Sequence, residues 1–562
     1  MRLLNIKTLL LSAAMAVLCA CQQEIGTPVE TGVIPCPDSA TLVYEGNFTK
    51  VAGAKICHPG TFSDKSVNAI VRFSDDLSAA TGIESEVCSS GKGGFTFAVK
   101  SQLSEEEYEI VISPKGAKIF VSDEKGVLNA IATLRQMLPV NIYSGKVAEE
   151  AEWTLPCVHI CDKPRFAYRG LLHDSGRHLF SVEEIKRYID IMSVYKLNVL
   201  HWHLTEDQGW RIQIDKYPEL TEIGAYRNGT QIGRDKTSND GVRYGGYYTK
   251  EQIRDIIDYA DARGIEIIPE IDLPGHMLAA LTCHPELGCT GGPYEVWTHW
   301  GVSPDVLCPG KEETFTFLED VLGEVADLFP SEYFNIGGDE CPKTRWKECP
   351  DCQARIKELG LEDDENATAE QKLQNYVTSR IQKFLAGKGK KIIGWDEILE
   401  GDLEEGATVM SWRGAKGGIE AASRGFDAIM APYTYLYIDY SQVPEGQEYL
   451  EPLAIEGNNT IEQVYSFEPY DGIPEEQQHH IIGVQTNLWT EYIGTDEYLE
   501  YMLLPRLAAV SEIQWSKPEN KNFDRLIDNI KTHQFPIYDE MGYTYCKVIL
   551  GIYGKDTIKT VE

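Results

Sequence analysis

"SVEEIKRYIDIMSVYKLNVLHWHL", residues 181–204, passes from one periodicity to another within a few residues. Ile185, Ile189 and Met192 fall on one stripe at helical spacing, and Ser181 followed by Glu184 has the form of a capping box. The first two thirds therefore predict an amphipathic helix laid against a neighbour. "LNVLHWHL" behind it reads as a short buried strand. A helix that feeds such a strand is half of a βαβ unit.

Outward from this stretch the same unit recurs. β-rich runs stand at residues 167–175, 197–204, 265–272, 332–338, 390–397, 407–414, 426–439 and 481–492. Thr249 with Gln252 and Thr368 with Gln371 repeat the capping box between them. Eight strands alternating with helices predict parallel pairing and an α/β fold closed as a (β/α)8 TIM barrel over residues 164–518, with a twisted open sheet as the alternative. The fifth connection, between Glu397 and Ala407, is too short for a regular helix. Residues 21–163 predict a smaller α+β domain: "YEIVISPKGAKIFVS" (108–122) is a hairpin turning at Lys115-Gly116, and "EKGVLNAIATLRQMLP" (124–139) is an amphipathic helix stopped by Pro139. Residues 519–562 read as a short C-terminal extension, with no further carbohydrate-binding or sandwich domain expected.

The 562 residues carry 52 Lys and Arg against 87 Asp and Glu, a formal charge of −35 that argues against nucleic-acid binding. Arg2 and Lys7 precede the apolar run "LLLSAAMAVLCA", and "LCAC" (18–21) resembles a bacterial lipoprotein processing site. The expectation is a signal peptide over 1–20, lipidation of Cys21, and a membrane-anchored protein at the periplasm or cell surface; a plain secretory signal is the alternative. Oligomeric state is not legible. The later cysteines are too scattered to form a disulfide framework, although Cys283 and Cys289 could close a small loop around "HPELG". "CPDC" (349–352) with Cys341 invites a zinc reading, but one C-x-x-C without a second pair or a nearby His is a weak signal, and neither metal nor cofactor is expected.

A barrel predicts that the chemistry lies at the C-terminal ends of its strands. The run ends hold Arg169 and Asp174; His201, Trp202, His203 and Asp207; Asp272 and His276; Asp339 and Glu340; Trp395 and Asp396; Trp412 and Arg413; Tyr437 and Asp439; Trp489 and Glu491. Several tryptophans with carboxylates and arginine suit a sugar, which offers a C–H face and an edge of hydroxyls. Glycoside hydrolysis usually places two carboxylates on opposite sides of the anomeric carbon. Asp339 and Glu340, adjacent in "FNIGGDECP" (334–342), cannot straddle it. A substrate with a 2-acetamido group supplies its own nucleophile, and the pair then divides the work. Glu340, with a raised pKa, would protonate the leaving oxygen. Asp339, kept ionised, would hold the acetamide N–H, and Tyr437 could position its oxygen.

At this point the motifs "FAYRGLLHDSGRH", "LNVLHWHLTEDQGWR", "EIDLPGH", "NIGGDE", "GWDEIL", "SWRG", "YIDY" and "NLWTEY" closely resemble, in order, those of glycoside hydrolase family 20, the β-N-acetylhexosaminidases. The likeness spans about residues 105–515. It implies that Asp339 orients the acetamide and that Glu340 is the general acid/base. It implies that Arg169 grips hydroxyls, that Trp395, Trp412 and Trp489 wall the pocket, and that Tyr437, Asp439 and Glu491 contact the sugar. Asp174 and His276 would join the substrate site, unless His276 belongs to a buried network with Asp207 or Asp272. The partners implied are glycans with terminal N-acetylhexosamine. A disaccharide-releasing lacto-N-biosidase, a silent glycan-binding lipoprotein, and a cysteine or zinc enzyme built on Cys341 and "CPDC" are the competing readings.

Overall fold

The computed structural model describes residues 26–553, so the expected signal peptide and Cys21 lie outside the described residues. Two compact units divide at Lys163/Pro164, with Ile34–Cys36 belonging to the second.

The first unit is a seven-stranded sheet in the order Ser39–Phe48, Leu155–Asp162, Tyr108–Ser113, Gly116–Val121, Phe95–Val99, Ile56–Cys57, Val87–Cys88. The expected hairpin is present: Ser113 pairs with Gly116 across a tight turn. Gly116 has φ 140°, and a Cβ there would meet the Gly94 carbonyl oxygen at 2.5 Å. Helix Glu124–Met137 buries Val127, Ala130 and Leu134, and the chain leaves it at Leu138, just before Pro139. A disulfide joins Cys57 to Cys88.

The second unit is a closed parallel barrel. Its strands are β1 (Tyr168–Asp174), β2 (Val199–His203), β3 (Glu266–Glu270), β4 (Tyr333–Asn335), β5 (Lys391–Trp395), β6 (Thr408–Ser411), β7 (Asp427–Met430) and β8 (Ile481–Leu488). β8 pairs with β1 from Gly483↔Tyr168 to Leu488↔His173, which closes the ring and excludes the open sheet. Tyr168, Leu172, Val199, Ile268, Ile393, Met410 and Ile429 fill one core cluster along the strands. Helix Val182–Val194 follows β1 and buries Ile185, Ile189 and Met192 completely, each worth about 1.5–3 kcal/mol of transfer free energy. Between β5 and β6 the chain makes only a 3-10 turn, Asp396–Leu399.

Two local expectations need correction. Thr249 and Thr368 form full capping boxes, but Ser181 forms half of one: it accepts from the Glu184 N–H while the Glu184 carboxylate turns towards Arg187, 3.5 Å away. Burial and the neighbouring Glu500 carboxylate raise Glu184 to about 9, so this side chain packs as a neutral acid. Cys283 and Cys289 do not pair. The Cys283 thiol donates to the Glu219 and Ala279 carbonyls at 3.2 and 3.4 Å, and Cys289 lies instead 3.7 Å from Cys352. Among the described residues, no helix is long and apolar enough to cross a membrane.

Candidate active site

β4 ends at Asn335 because the next turn can be made only by glycine. Gly337 and Gly338 take left-handed φ values of 64° and 96°, and the Asn335 side chain accepts from the Gly337 N–H at 2.8 Å. A Cβ on Gly337 would lie 1.8 Å from the Asp272 Oδ1. This close passage beside β3 carries Asp339 and Glu340 to the rim side by side. Glu340 itself has φ 43°, a conformation costing a non-glycine residue of order 1–2 kcal/mol. The Asp339 side chain is 14% exposed and that of Glu340 42%. One carboxylate oxygen from each and a ring nitrogen of His276 lie within 4.8 Å of one another.

Behind the pair stands a network of buried charges. Glu206 accepts from Arg177 Nη2 at 2.7 Å and His276 Nδ1 at 3.1 Å, and lies 3.3 Å from His203 Nε2. Burial works against a charge on His276, but Glu206 and Asp207 outweigh it and hold the imidazole as a cation. Its Nε2 faces Glu340 at 3.6 Å and Asp339 at 3.9 Å. Asp272 is pushed well above the carboxyl range by burial and by the Asp339 charge, so it keeps its proton. His276 therefore joins both readings of it, sitting in the buried network and reaching the catalytic pair.

The titration order is the reverse of that expected from the sequence. The His276 cation, 3.6 Å away, lowers the Glu340 carboxyl. Burial, with the adjacent Glu340 charge, raises Asp339 to about 6 despite His276. The cation lies close to both, but Glu340 faces water and Asp339 does not.

At the same rim, aromatic side chains form a box. Trp412 stacks on Tyr437 (centroids 6.1 Å, 18°), Tyr437 meets Trp489 edge-on at 6.3 Å, and Trp395 lies 5.8 Å from Trp489. Trp395 is fixed by its Nε1–H to Glu270 (2.8 Å), and Trp412 by its Nε1–H to Glu397 (3.0 Å). Burial, together with Asp339, raises Glu397 to about 8. Burial holds the Tyr437 phenol well above its ordinary value, so it remains a donor. Asp339 Oδ1, Asp439 Oδ1 and Glu491 Oε2 are buried and have no hydrogen-bond partner among the described residues. Orphaned buried acceptors leave places for the donor groups of a ligand or of water.

Two expected site residues are elsewhere. Arg169 is at the start of β1, the opposite end from the rim, where its guanidinium donates to the Lys196 and Phe166 carbonyls, both at 2.8 Å, and lies over Trp515. It holds the barrel floor. Asp174 is fully buried, and its carboxylate is consumed by the N–H groups of Gly176 (2.8 Å), Arg177 (3.2 Å) and Thr490 (3.0 Å). It positions the loop after β1 against the loop after β8. Arg177 is the arginine of this motif that reaches the rim, set over the Trp489 ring at 4.9 Å and 4.0 Å from Glu491. Replacing Arg177 with Ala is expected to raise KM at least about tenfold, the scale of one charge-assisted hydrogen bond. Arg169→Ala should instead lower the melting temperature with KM unchanged, and steady-state kinetics beside thermal unfolding separate the two.

Arg177, Glu206, Asp272, His203 and Glu270 all stand within the motifs that mark the rim. Arg177 is three residues beyond Asp174, a spacing that was the available signal, because β1 must be traversed before the chain reaches the rim. Cys341 is buried in an apolar cluster and burial raises its thiol to about 11, which removes the thiolate that a cysteine enzyme would need.

The family model described as "Glycosyl hydrolase family 20, catalytic domain" matches residues 166–518, and "Glycosyl hydrolase family 20, domain 2" matches residues 30–163. The chain belongs to glycosyl hydrolase family 20. Within the family it is 46% identical over 432 residues to a β-hexosaminidase of Porphyromonas gingivalis, covering 76% of this chain and 53% of that protein, so it spans about half the length of this relative. A β-hexosaminidase of Vibrio furnissii is 32% identical over 86% of this chain and 78% of its own. The crystal structure of a family 20 exo-β-N-acetylglucosaminidase from Vibrio harveyi, in complex with N-acetylglucosamine, superposes with a TM-score of 0.79 at 32% identity, covering 93% of this chain and 80% of that one. That of a family 20 β-N-acetylhexosaminidase from Streptomyces coelicolor gives 0.79 at 30%, covering 93% and 99%.

Proposed function

We propose that this family 20 chain is an exo-acting, retaining β-N-acetylhexosaminidase that removes terminal β-linked N-acetylglucosamine or N-acetylgalactosamine. The observation that carries the reading is the delivery of Asp339 and Glu340 side by side from one glycine turn, with Tyr437 of the aromatic box near enough to Asp339 to feel its charge. Two carboxylates on one side of a sugar cannot act as acid and opposing nucleophile. The acetamide oxygen attacks the anomeric carbon instead. Asp339 accepts the acetamide N–H and offsets the positive charge of the cyclic oxazolinium ion, while the Tyr437 hydroxyl donates to the acetamide oxygen. The tryptophans exclude water from that ring.

Glu340 begins as a carboxylate held by His276 and exposed to the cleft. A bound sugar covers it, and loss of hydration raises its pKa towards the protonated form that can donate to the leaving oxygen. The same carboxylate then takes a proton from the water that opens the oxazolinium ion. Arg177, Asp439 and Glu491 bind hydroxyls. The activities and the N-acetylglucosamine complex named for the relatives support this reading.

Comparing p-nitrophenyl β-N-acetylglucosaminide with the corresponding β-glucoside tests it: turnover is expected only for the acetamido sugar, together with tight inhibition by a thiazoline mimic of the cyclised intermediate. Equal turnover of the two would sink the mechanism. We also propose export and anchoring through lipidated Cys21; mass spectrometry of the mature N-terminus should show the acylated cysteine, and an unmodified terminus would refute it.

A further inference from the structure

We propose that Cys289, Cys308, Cys349 and Cys352 bind one structural zinc ion as a closed tetrathiolate that ties the loop after β3 to the loop after β4. These four sulfurs lie within 4.8 Å of one another. Cys308 is 3.6 Å from Cys349 and 3.5 Å from Cys352, and Cys352 is 3.7 Å from Cys289. A tetrahedral ion with Zn–S bonds of about 2.3 Å sets its ligands about 3.8 Å apart. Two disulfides would resolve the group into two bonded couples, whereas Cys308 and Cys352 are each shared between neighbours. The second pair that "CPDC" lacks in sequence is thus supplied from the preceding loop, and Cys341 is not among the four.

The surroundings suit such an ion. Val306, Trp346, Ile356 and Leu373 pack around the thiols, and three of the four cysteines are buried. Pro350 opens the helix Pro350–Leu359, so Cys349 and Cys352 bracket its first turn with the spacing of a zinc knuckle. The Gly310 backbone presses directly on the Asp351–Cys352 peptide: a Cβ there would lie 2.2 Å from the Asp351 carbonyl carbon. Lys311 donates to the carbonyls of Glu286 and Gly288 at 2.7 and 2.8 Å, and Arg355 to that of Gly310 at 3.5 Å, placing cations beside the segments that carry Cys289 and Cys308. Four thiolates around zinc form a dianion, which such cations offset. Four protein ligands leave no open position, so the ion is structural and takes no part in hydrolysis.

The consequence reaches the active site. His276 is on the loop that continues to Cys289 and Cys308, and Asp339 and Glu340 are on the loop that continues to Cys349 and Cys352. The ion would brace the three groups that share protons. Binding releases the thiol protons and adds its free energy to folding.

The full chain, purified with reductant and without chelator, is expected to carry zinc at a stoichiometry near one by elemental mass spectrometry. A Cys349→Ser/Cys352→Ser variant should lose at least about nine tenths of it and melt at a lower temperature, while Cys283→Ser should keep it. If the double variant does not fold, titrating wild-type protein with a mercurial in the presence of a chromophoric chelator supplies the readout: zinc should be released in step with modification of four thiols. Wild-type protein without zinc after incubation with the ion, iron in its place, or intact masses showing two disulfides among these cysteines would overturn the proposal.

Discussion

Asp339→Asn is expected to lower kcat by about 10²–10³ on every N-acetylated substrate, irrespective of the leaving group, because the lost charge faces the oxazolinium ion and not the aglycone. The same variant carries a pH signature. In the free protein Asp339 is raised to about 6 by burial and by Glu340, so the ionised form that accepts the acetamide N–H is lost as pH falls through that value. Wild-type kcat/KM on an aryl glycoside should therefore drop about tenfold between pH 6 and pH 5 or slightly below, and the amide variant should lack that limb. Stability runs the other way. A carboxyl whose folded pKa lies above its unfolded value is bound more tightly to its proton in the native state, so its contribution is present at low pH and lost as pH rises through about 6. The uncharged Asn escapes that loss, and the variant should melt no lower than wild type at pH 7. Inactivity with intact melting places the defect in chemistry; unchanged rates would mean the acetamide is not the nucleophile.

The barrel was legible because its evidence is local and repeated. The stripe of Ile185, Ile189 and Met192 and the run ending at His203 each report their own burial, and eight such units leave little choice of topology. The missing fifth helix was legible for the same reason. What sequence could not carry was direction along a strand and partnership across loops. Arg169 and Arg177 are both arginines in one motif, and only the registration of β1 shows that the first lies at the barrel floor and the second at the rim. Asp174 reads as a rim carboxylate until its neighbours are seen to consume it. The titration order failed for a related reason. Glu340 and Asp339 are chemically equivalent in sequence, and what separates them is a histidine from another loop, made cationic by Glu206 from a third. The cysteines show the same limit: Cys289 and Cys308 lie too far along the chain from "CPDC" for spacing to connect them.

Glu340→Gln should separate substrates by their need for protonation. With an oligosaccharide leaving group, loss of the acid is expected to lower kcat/KM by about 10²–10⁴. With p-nitrophenol, which departs without a proton, kcat/KM should change by less than about tenfold, because that ratio reports the step up to bond cleavage. The variant would still be slow in kcat on the activated substrate, since Glu340 must next act as base towards water. The oxazoline intermediate then accumulates, visible as a burst of p-nitrophenol. Azide, a nucleophile that needs no base, should restore kcat and yield the β-glycosyl azide, with the stereochemistry of two successive inversions at the anomeric carbon. Gln at this position also removes a carboxylate 3.6 Å from His276, so Asp339 loses the neighbouring negative charge that raises it while keeping the cation 3.9 Å away, and its pKa should fall. The acid limb of the variant on p-nitrophenyl substrate should accordingly move below pH 6. Equal losses on both substrates, without a burst and without azide rescue, would show that Glu340 supports the fold of the loop and is not the proton donor.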